Sequence, residues 1–178
     1  METNETTTQE TPAQVTSFAD LGLSDVLLNA LEKKGFEKPS PIQADIIPII
    51  LNDERDIVGQ AQTGTGKTAA FGLPVLEKLD ESSSAIQALV LTPTRELTLQ
   101  VADELNGLRG MKQIKITPIY GGQSFERQKK QLQRPSGIIV GTPGRLIDHI
   151  KRGNIDLSEL KFAVLDEADE MLTAGFVE

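Results

Sequence analysis

Short apolar runs alternate with helical patterns along most of the chain, and this alternation strongly restricts the possible folds. Several runs are apolar at consecutive positions rather than at every second one, which is typical of strands covered by helices on both faces. A repeated strand–helix order of this kind predicts an α/β fold with a mostly parallel sheet. The predicted strands are Asp56–Val58, Ile86–Leu91, Ile114–Ile119, Gly137–Val140 and Phe162–Leu165.

Helical patterns precede the first predicted strand and fill the intervals after it. Ser24 is a candidate N-cap for a helix that ends near Gly35, because glycine is common just past a helix C-terminus. Pro41 follows Ser40 as a first-turn proline and begins a helix that runs to about Leu51. The remaining predicted helices are Lys67–Leu79, Thr94–Leu108, Ser124–Gln133 and Pro143–Lys151.

Composition excludes several functional classes. The chain has 178 residues, a net charge of −8, no cysteine and one histidine. Disulfides and Cys-based zinc sites cannot form, and a His-built metal site is disfavoured. Because the chain is acidic, nucleic-acid binding would depend on local geometry. No apolar run approaches the roughly 18 residues of a membrane span, and the first residues lack signal-peptide features, so we expect a cytoplasmic protein without membrane association.

The chain divides into a short polar segment and one domain. Residues 1–16 are rich in Thr, Glu, Gln and Asn and contain three glutamates but no basic residue, which predicts a disordered acidic tail. Residues 17–178 have the length and the alternating pattern of a single α/β domain.

The sequence AQTGTGKT, residues 61–68, joins a predicted strand to a predicted helix and has the pattern of a phosphate-binding loop. Glycines in such a loop let backbone N–H groups converge on phosphate oxygens, and the helix start adds partial positive charge. Lys67 would reach the β- and γ-phosphates, and the Thr68 hydroxyl would ligate Mg²⁺. Ala61 stands where the general pattern has glycine. The alternative, a Gly/Thr-rich turn without this role, is disfavoured by the flanking strand and helix. The predicted nucleotide-binding positions are Ala61, Gln62, Thr63, Gly64, Thr65, Gly66, Lys67 and Thr68.

The sequence FAVLDEAD, residues 162–169, places carboxylates directly after an apolar strand. Sites in parallel α/β sheets gather at the carboxyl ends of the strands. Asp166 suits a ligand of the nucleotide's Mg²⁺, and Glu167 suits a group that orients or deprotonates an attacking water. Alternatively, acidic residues simply begin the next helix and complement its dipole. The phosphate loop favours the first interpretation, with Lys67, Asp166 and Glu167 as catalytic residues.

These two motifs occur together with further motifs in the order typical of one family. The chain resembles the DEAD-box RNA helicases, from about Phe18 to its last residue. That resemblance implies the first of two RecA-like P-loop NTPase domains, with ATP and Mg²⁺ as cofactors and RNA as the second substrate. The further motifs are GFEKPSPIQ at residues 35–43, PTREL at 93–97, Gly121-Gly122 and TPGR at 142–145.

The resemblance also implies an adenine pocket. In it, the Gln43 amide would pair with the adenine edge, Phe36 would stack on the base, and Phe18 would support the pocket. An amide offers one donor and one acceptor, which match N6 and N7 of adenine. A second possibility is that Ser40 and Gln43 form a capping box, and the two roles are compatible. For Phe18 and Phe36 the alternative is core packing.

By the same resemblance, another set of residues would line an RNA path. Thr142 and Pro143 have the pattern of an N-cap and a first-turn proline, and a helix start offers N–H groups to a phosphate. Such contacts recognise the RNA backbone, so we expect little sequence preference. The alternative is that TPGR merely begins a helix and PTREL merely ends a strand. The implied RNA-binding residues are Pro93, Thr94, Arg95, Gly121, Gly122, Thr142, Gly144 and Arg145.

Other charged residues have simpler interpretations. Arg127, Lys129, Lys130 and Arg134 are expected on a solvated helix face. His149 is expected to be an ordinary surface or helix residue.

Two elements of the resembled family do not occur in this sequence, namely its Ser-Ala-Thr motif and its second domain with the arginines that complete the ATP site. In the order that the resemblance implies, the Ser-Ala-Thr strand lies between the strands of the phosphate loop and the acidic motif. We therefore expect a domain that is incomplete at its C-terminal end, with a gap at that place. The intact protein is expected to be an RNA-dependent ATPase and RNA helicase, and residues 1–178 alone to be inactive. The alternatives are a non-catalytic nucleotide- or RNA-binding fragment and, disfavoured by Gln43 and TPGR, a small-molecule kinase.

Overall fold

The computed structural model describes residues 17–53, 55–62 and 64–173. The acidic tail predicted for residues 1–16 lies outside the described residues, and so does Thr63 of the predicted phosphate loop. Four strands and seven α helices follow a short 3-10 helix at Phe18–Leu21 in the described part. The strands are β1 Ala88–Leu91, β2 Ile116–Ile119, β3 Ile138–Gly141 and β4 Phe162–Leu165. The helices are α1 Asp25–Lys33, α2 Pro41–Asn52, α3 Lys67–Lys78, α4 Arg95–Leu108, α5 Phe125–Leu132, α6 Pro143–Lys151 and α7 Ala168–Thr173.

The strands form one parallel sheet in the order β2-β3-β1-β4. Leu91 at the end of β1 is level with Gly141 of β3 and with Leu165 of β4, and Ile119 of β2 is level with Gly141. The carboxyl ends of all four strands therefore meet at one edge of the sheet. The loops that follow them carry the predicted functional residues.

Helices cover both faces of the sheet. Successive residues of a strand point to opposite faces, so neighbouring residues pack in different cores. Ile138 packs in a core with Leu73 of α3 and Leu105 of α4. Its neighbour Ile139 packs in a second core that contains Leu146 of α6. Full burial of a side chain of this size stabilises the fold by about 1.5–3 kcal/mol. The predicted α/β fold with helices on both faces is confirmed.

The predicted strand Asp56–Val58 is wrong. Residues 55–61 form no strand, and the Val58 side chain is 97% exposed. A short apolar run becomes a stable strand only where a neighbouring strand supplies hydrogen-bond partners. Among the described residues β4 pairs only with β1, so no strand neighbours this segment.

A groove of about 1120 Å³ separates β4 from residues 55–61, and α2 and α3 contribute to its walls. The side chains of β4 are only partly buried, and Leu165 is 58% exposed. The groove lies between the phosphate-loop segment and the acidic strand, where the sequence predicted a gap.

Candidate functional site

The phosphate loop ends at the start of α3 in the geometry that its glycines allow. Gly64 and Gly66 have φ values of 80° and 82°, a left-handed conformation that favours glycine. Gly66 is the N-cap of α3 and Lys67 is its first residue. A Cβ atom at Gly66 would overlap Nε2 of Gln43. The described part of the loop therefore brings Lys67 and Thr68 to a helix N-terminus, where partial positive charge favours an anion.

The acidic motif follows β4 directly. The backbone N–H of Asp166 donates to the carbonyl of Leu91 at 3.0 Å, which extends the sheet by one bond. Asp166 is only 8% exposed. Burial raises the pKa of its carboxyl, Lys67 opposes that rise, and Glu167 adds to it. Glu167 has a φ of 52°, which is unusual for a residue with a side chain and costs roughly 1–2 kcal/mol.

Lys67, Asp166 and Glu167 line the same groove. They come from α3 and from the end of β4, which are far apart in the sequence. A buried carboxylate whose pKa is raised gains from a nearby cation, since the cation stabilises its charged form. The groove thus combines an amine that can bind phosphate with two carboxylates, one suited to bind a metal ion and one suited to orient a water.

Gln43 is buried at the start of α2, and both ends of its amide have partners. Oε1 accepts from the backbone N–H of Ser40 at 2.9 Å, and Nε2 donates to the Gly66 carbonyl at 3.1 Å. The Ser40 hydroxyl donates to the Thr65 carbonyl at 2.8 Å. The helix-cap role of Gln43 is present, and the same side chain holds the phosphate loop. Each end of the amide keeps one further hydrogen-bonding site, because the oxygen has a second lone pair and the NH₂ group a second N–H.

The two predicted pocket aromatics contact each other. The ring centroids of Phe18 and Phe36 are 6.0 Å apart with an interplanar angle of 78°, an edge-to-face arrangement. Phe18 is buried in the core that also contains Leu27, and Phe36 packs against it from a half-buried position. Core packing is therefore the observed role of Phe18, and the exposed part of Phe36 is available to a ligand.

The predicted RNA-binding residues occupy the loops after β1, β2 and β3. Pro93 and Thr94 follow β1, and the Thr94 hydroxyl caps α4 by accepting from the Leu97 N–H at 3.2 Å. Gly121 and Gly122 follow β2. Thr142 and Gly144 flank Pro143, the first residue of α6 after β3. Because the strands are parallel, these loops are neighbours at the edge that also carries Asp166.

Arg95 and Arg145 are held by different contacts. The Arg95 guanidinium carbon lies 5.1 Å from the centroid of the Tyr120 ring, a cation–π contact. The Arg145 Nη1 donates to the Gln123 carbonyl at 3.0 Å and to the Gln128 Oε1 at 2.9 Å. Both arginines therefore have defined positions next to the exposed pair Gly121-Gly122 and the start of α6.

Comparison with known proteins agrees with this geometry. A sequence model of the DEAD/DEAH box helicases matches residues 40–178. This chain belongs to the DEAD/DEAH box helicase family. It is 54% identical to the DEAD-box ATP-dependent RNA helicase CshA of Geobacillus kaustophilus over 164 residues, which are 92% of this chain and 35% of that protein. It is 55% identical to the ATP-dependent RNA helicase DeaD of Escherichia coli, over 92% of this chain and 26% of that protein.

A solved structure confirms the family's fold. The crystal structure of a DEAD box protein from Methanococcus jannaschii superposes with a TM-score of 0.87 at 53% identity, over 91% of this chain and 44% of that one. The RecA-like fold expected of a DEAD-box domain is therefore confirmed. This chain spans less than half the length of each of these relatives.

Sequence reasoning missed three residues that lie beside the loops after β1, β2 and β3: Tyr120, Gln128 and His149. His149 lies on a helix as expected, but it is fully buried and stacks on Phe125 with ring centroids 4.1 Å apart. A signal for Gln128 exists in the sequence. Phe125, Gln128 and Leu132 recur at helical spacing on one face of α5, so the amide occupies a position that faces the protein interior.

Two further expectations can be compared with the structure. Arg127, Lys129 and Lys130 are exposed on α5, as expected for a solvated helix face, whereas Arg134 is exposed just beyond the C-cap of that helix. Among residues 17–53, 55–62 and 64–173, no helix is long and apolar enough to cross a membrane.

Proposed function

We propose that this chain is the ATP- and RNA-binding first domain of an ATP-dependent RNA helicase, which hydrolyses ATP to unwind or remodel RNA. The observation that carries the proposal is the placement of two sites on one sheet edge. Lys67, Asp166 and Glu167 line a groove at β4, and Arg95 and Arg145 follow β1 and β3. A shared edge allows nucleotide state and RNA contact to influence each other through the same strands.

On the nucleotide side, Lys67 binds the β- and γ-phosphates with a charge-assisted contact. Backbone groups of residues 61–66 surround the phosphates, including Ala61, Gln62, Thr63, Gly64 and Thr65. Gln43, Phe36 and Phe18 form and support the adenine pocket. Glu167 orients the attacking water and accepts its proton.

The oxygen donors present suit Mg²⁺. The Thr68 hydroxyl and the Asp166 carboxylate are hard ligands, and Mg²⁺ typically uses one or two protein oxygens with substrate phosphates and water. The described residues contain no group of three or more His, Cys, Asp or Glu that could enclose a metal. When bound with ATP, Mg²⁺ would neutralise charge that develops on the phosphates. The raised pKa of Asp166 means that this carboxylate gains from a cation.

On the RNA side, we propose that the loops after β1, β2 and β3 contact the sugar-phosphate backbone. Pro93, Thr94, Gly121, Gly122, Thr142 and Gly144 would provide close approach and N–H groups, and Arg95 and Arg145 would provide charge. Such a site binds many sequences with similar affinity. In a competition series of unrelated single strands at fixed salt, we expect discrimination below about 100-fold, because base-edge recognition is what produces larger ratios. A cytoplasmic location is part of the same proposal.

Catalysis should require a second helicase domain. An arginine that neutralises the transferred phosphoryl group contributes about 10³–10⁵ in rate. Strand separation also requires two bodies that close on RNA. We therefore expect residues 1–178 alone to show no RNA-stimulated ATPase and no unwinding, and a two-domain form, in which a second helicase domain follows, to show both.

The test is ATP hydrolysis with and without RNA by the two-domain form and its Lys67→Ala variant. The variant should lose more than about 10²-fold in turnover, because an alkyl group cannot replace a charge-assisted phosphate contact. Lys33→Ala, at an exposed position near the end of α1, is the matched control and should be normal. Normal turnover by Lys67→Ala would contradict the phosphate-loop role. RNA-stimulated turnover by residues 1–178 alone would contradict the need for a second domain, and an inactive two-domain form would favour a non-catalytic binding module.

A further inference from the structure

A buried amide connects the two arginines of the RNA side. Gln128 lies on α5 and is 0% exposed. Its Nε2 donates to the Tyr120 carbonyl at 2.9 Å, and its Oε1 accepts from the Arg145 Nη1 at 2.9 Å. The Nε2 of His149 is also 3.2 Å from that oxygen. Gln128 is therefore in contact with three partners, namely Tyr120 directly after β2 and Arg145 and His149 on α6.

The chemistry of these partners allows only one orientation of the amide. A carbonyl can only accept a hydrogen bond and an arginine can only donate one. The NH₂ group of Gln128 must therefore face Tyr120, and its oxygen must face Arg145. The His149 Nε2 then carries the proton, and its Nδ1 accepts from the Asn154 Nδ2 at 3.3 Å. Burial, followed by the charge of Arg145, lowers the pKa of His149 and supports this neutral form.

The hydrogen bonds of Arg145 lie at one corner of its guanidinium, whose carbon is also 5.8 Å from the centroid of the Phe125 ring. Both of its hydrogen bonds, to the Gln128 Oε1 and to the Gln123 carbonyl, use Nη1. A guanidinium has five N–H donors in a planar fork. Among the described residues, the donors on Nε and Nη2 of Arg145 have no hydrogen-bond acceptor. A planar group fixed at one corner can present its other donors to a phosphate without first losing side-chain freedom.

Tyr120 extends this connection to the second arginine. Its carbonyl accepts from Gln128, while its ring lies beneath the Arg95 guanidinium at 5.1 Å. Tyr120 itself is buried directly after β2. One residue thus contacts Arg95 through its ring and Arg145 through the Gln128 amide.

We propose that Gln128 is a positioning residue for RNA binding, which orients Arg145 directly and is joined to Arg95 through Tyr120. This inference rests on the proposed role of Arg145 in RNA binding. Without the amide, Arg145 would keep only its bond to the Gln123 carbonyl and its contact with the Phe125 ring, so part of its ordering would have to occur when RNA binds. Ordering one rotamer-rich side chain weakens binding by about 3- to 10-fold. ATP binding should not change, because the groove lined by Lys67 lies beyond β1 and β4.

The experiment measures the affinity of the two-domain form for a fluorescent single-stranded RNA over a series of salt concentrations. Gln128→Met removes all three hydrogen bonds of the amide at similar volume, and Gln128→Ala is the second variant. Gln133→Ala makes the same chemical change at the exposed C-cap of the same helix and is the matched control. Arg145→Ala and the double variant with Gln128→Met complete a double-mutant cycle. Thermal unfolding and binding of a fluorescent ADP analogue verify that each variant is folded.

We expect the RNA affinity to fall about 3- to 10-fold in Gln128→Met and to be unchanged in Gln133→Ala. When Gln128→Met is added to Arg145→Ala, the RNA affinity should fall no further. Arg145→Ala should also decrease the slope of log affinity against log salt by about 0.7, the value for one single-strand phosphate contact. If Arg145→Ala weakens binding but Gln128→Met does not, or if the two losses add, the positioning role is refuted while the proposed function stands. If Arg145→Ala itself has no effect, the RNA assignment of Arg145 fails and this inference fails with it.

Discussion

The two halves of the functional edge differ in how complete they are. On the proposed RNA side, β3 and β1 are paired on both edges, and the Gln128 amide oxygen is hydrogen-bonded to both Arg145 and His149. On the proposed nucleotide side, β4 pairs only with β1 among the described strands and borders a groove of about 1120 Å³. Val58, at 97% exposure, shows how little covers the segment before the phosphate loop.

The proposed RNA side is therefore already ordered, whereas the proposed nucleotide side depends on groups that only a ligand would supply. The Arg145 side chain is oriented before any ligand arrives. In contrast, Gln43 uses its amide to hold Ser40 and Gly66, and Asp166 is a buried carboxylate with a raised pKa. A cation that binds with ATP would therefore give Asp166 a new charge partner, whereas Arg145 already has hydrogen-bond partners without RNA.

Glu167→Gln should separate chemistry from binding on the nucleotide side. The amide keeps the shape of the side chain but cannot accept a proton, so kcat of the two-domain form should fall by about 10²-fold or more. ATP affinity, measured by equilibrium binding, should remain near normal. Glu159→Gln makes the same change at an exposed position outside the groove and is the control. Equal losses in binding and turnover would show that Glu167 is not the general base.

Gln43→Ala should reveal whether its amide is more than a helix cap. Loss of an adenine-matched group should weaken adenine nucleotides roughly 10-fold more than guanine nucleotides, the value of one net hydrogen bond at its upper range. Loss of the cap should also decrease the unfolding free energy by about 1 kcal/mol. Titrations with ADP and GDP analogues and a thermal melt measure the two effects, with Gln100→Ala on the exposed face of α4 as control. Equal weakening of both nucleotides together with a lower melting temperature would leave Gln43 as a cap alone.

Tyr120→Leu should affect the RNA side and leave the nucleotide side unchanged. It removes the ring beneath Arg95, and an exposed cation–π contact contributes about 0.5–1 kcal/mol. RNA affinity should fall by about 2- to 5-fold, while ADP affinity should not change. Tyr120→Phe keeps the ring and is the matched control. A loss of the same size in Tyr120→Phe would mean that the hydroxyl, rather than the ring, carries the effect.

Asp166→Asn should stabilise the nucleotide-free protein while it removes the proposed Mg²⁺ ligand. Because burial raises the Asp166 pKa above its ordinary value of 3.8, the folded state binds this proton more tightly than the unfolded state does. Its contribution to stability is therefore greatest in acid and is lost as the pH rises through the raised pKa. At pH 7 the variant should melt at a higher temperature than the unmodified protein, because it no longer buries a charged carboxylate. The difference should shrink in acid, and Asp103→Asn, at an exposed position of α4, should show no such trend. A lower melting temperature for Asp166→Asn at pH 7 would contradict the cost assigned to this carboxylate.

Local patterns in the sequence were sufficient for most of the secondary structure. The predicted strand Phe162–Leu165 has the observed bounds, and the helix Pro143–Lys151 does as well. Both are specified by nearby residues, namely a continuous apolar run in one case and a first-turn proline in the other. The phosphate loop and the acidic motif were also recognisable from their residues. The loop lies between a short apolar run and a helix start, and the acidic motif directly follows an apolar run.

What failed was a prediction that depends on a partner far away in the chain. Asp56–Val58 has the composition of a strand, but no described strand lies beside it to complete its hydrogen bonds. The roles of Tyr120 and Gln128 were likewise invisible, because they arise only when the end of β2, α5 and α6 come together. Sequence patterns report which conformation a segment prefers and which face it buries. Tertiary structure decided which polar groups meet, since a buried donor or acceptor must be satisfied by whatever the fold places within hydrogen-bond distance.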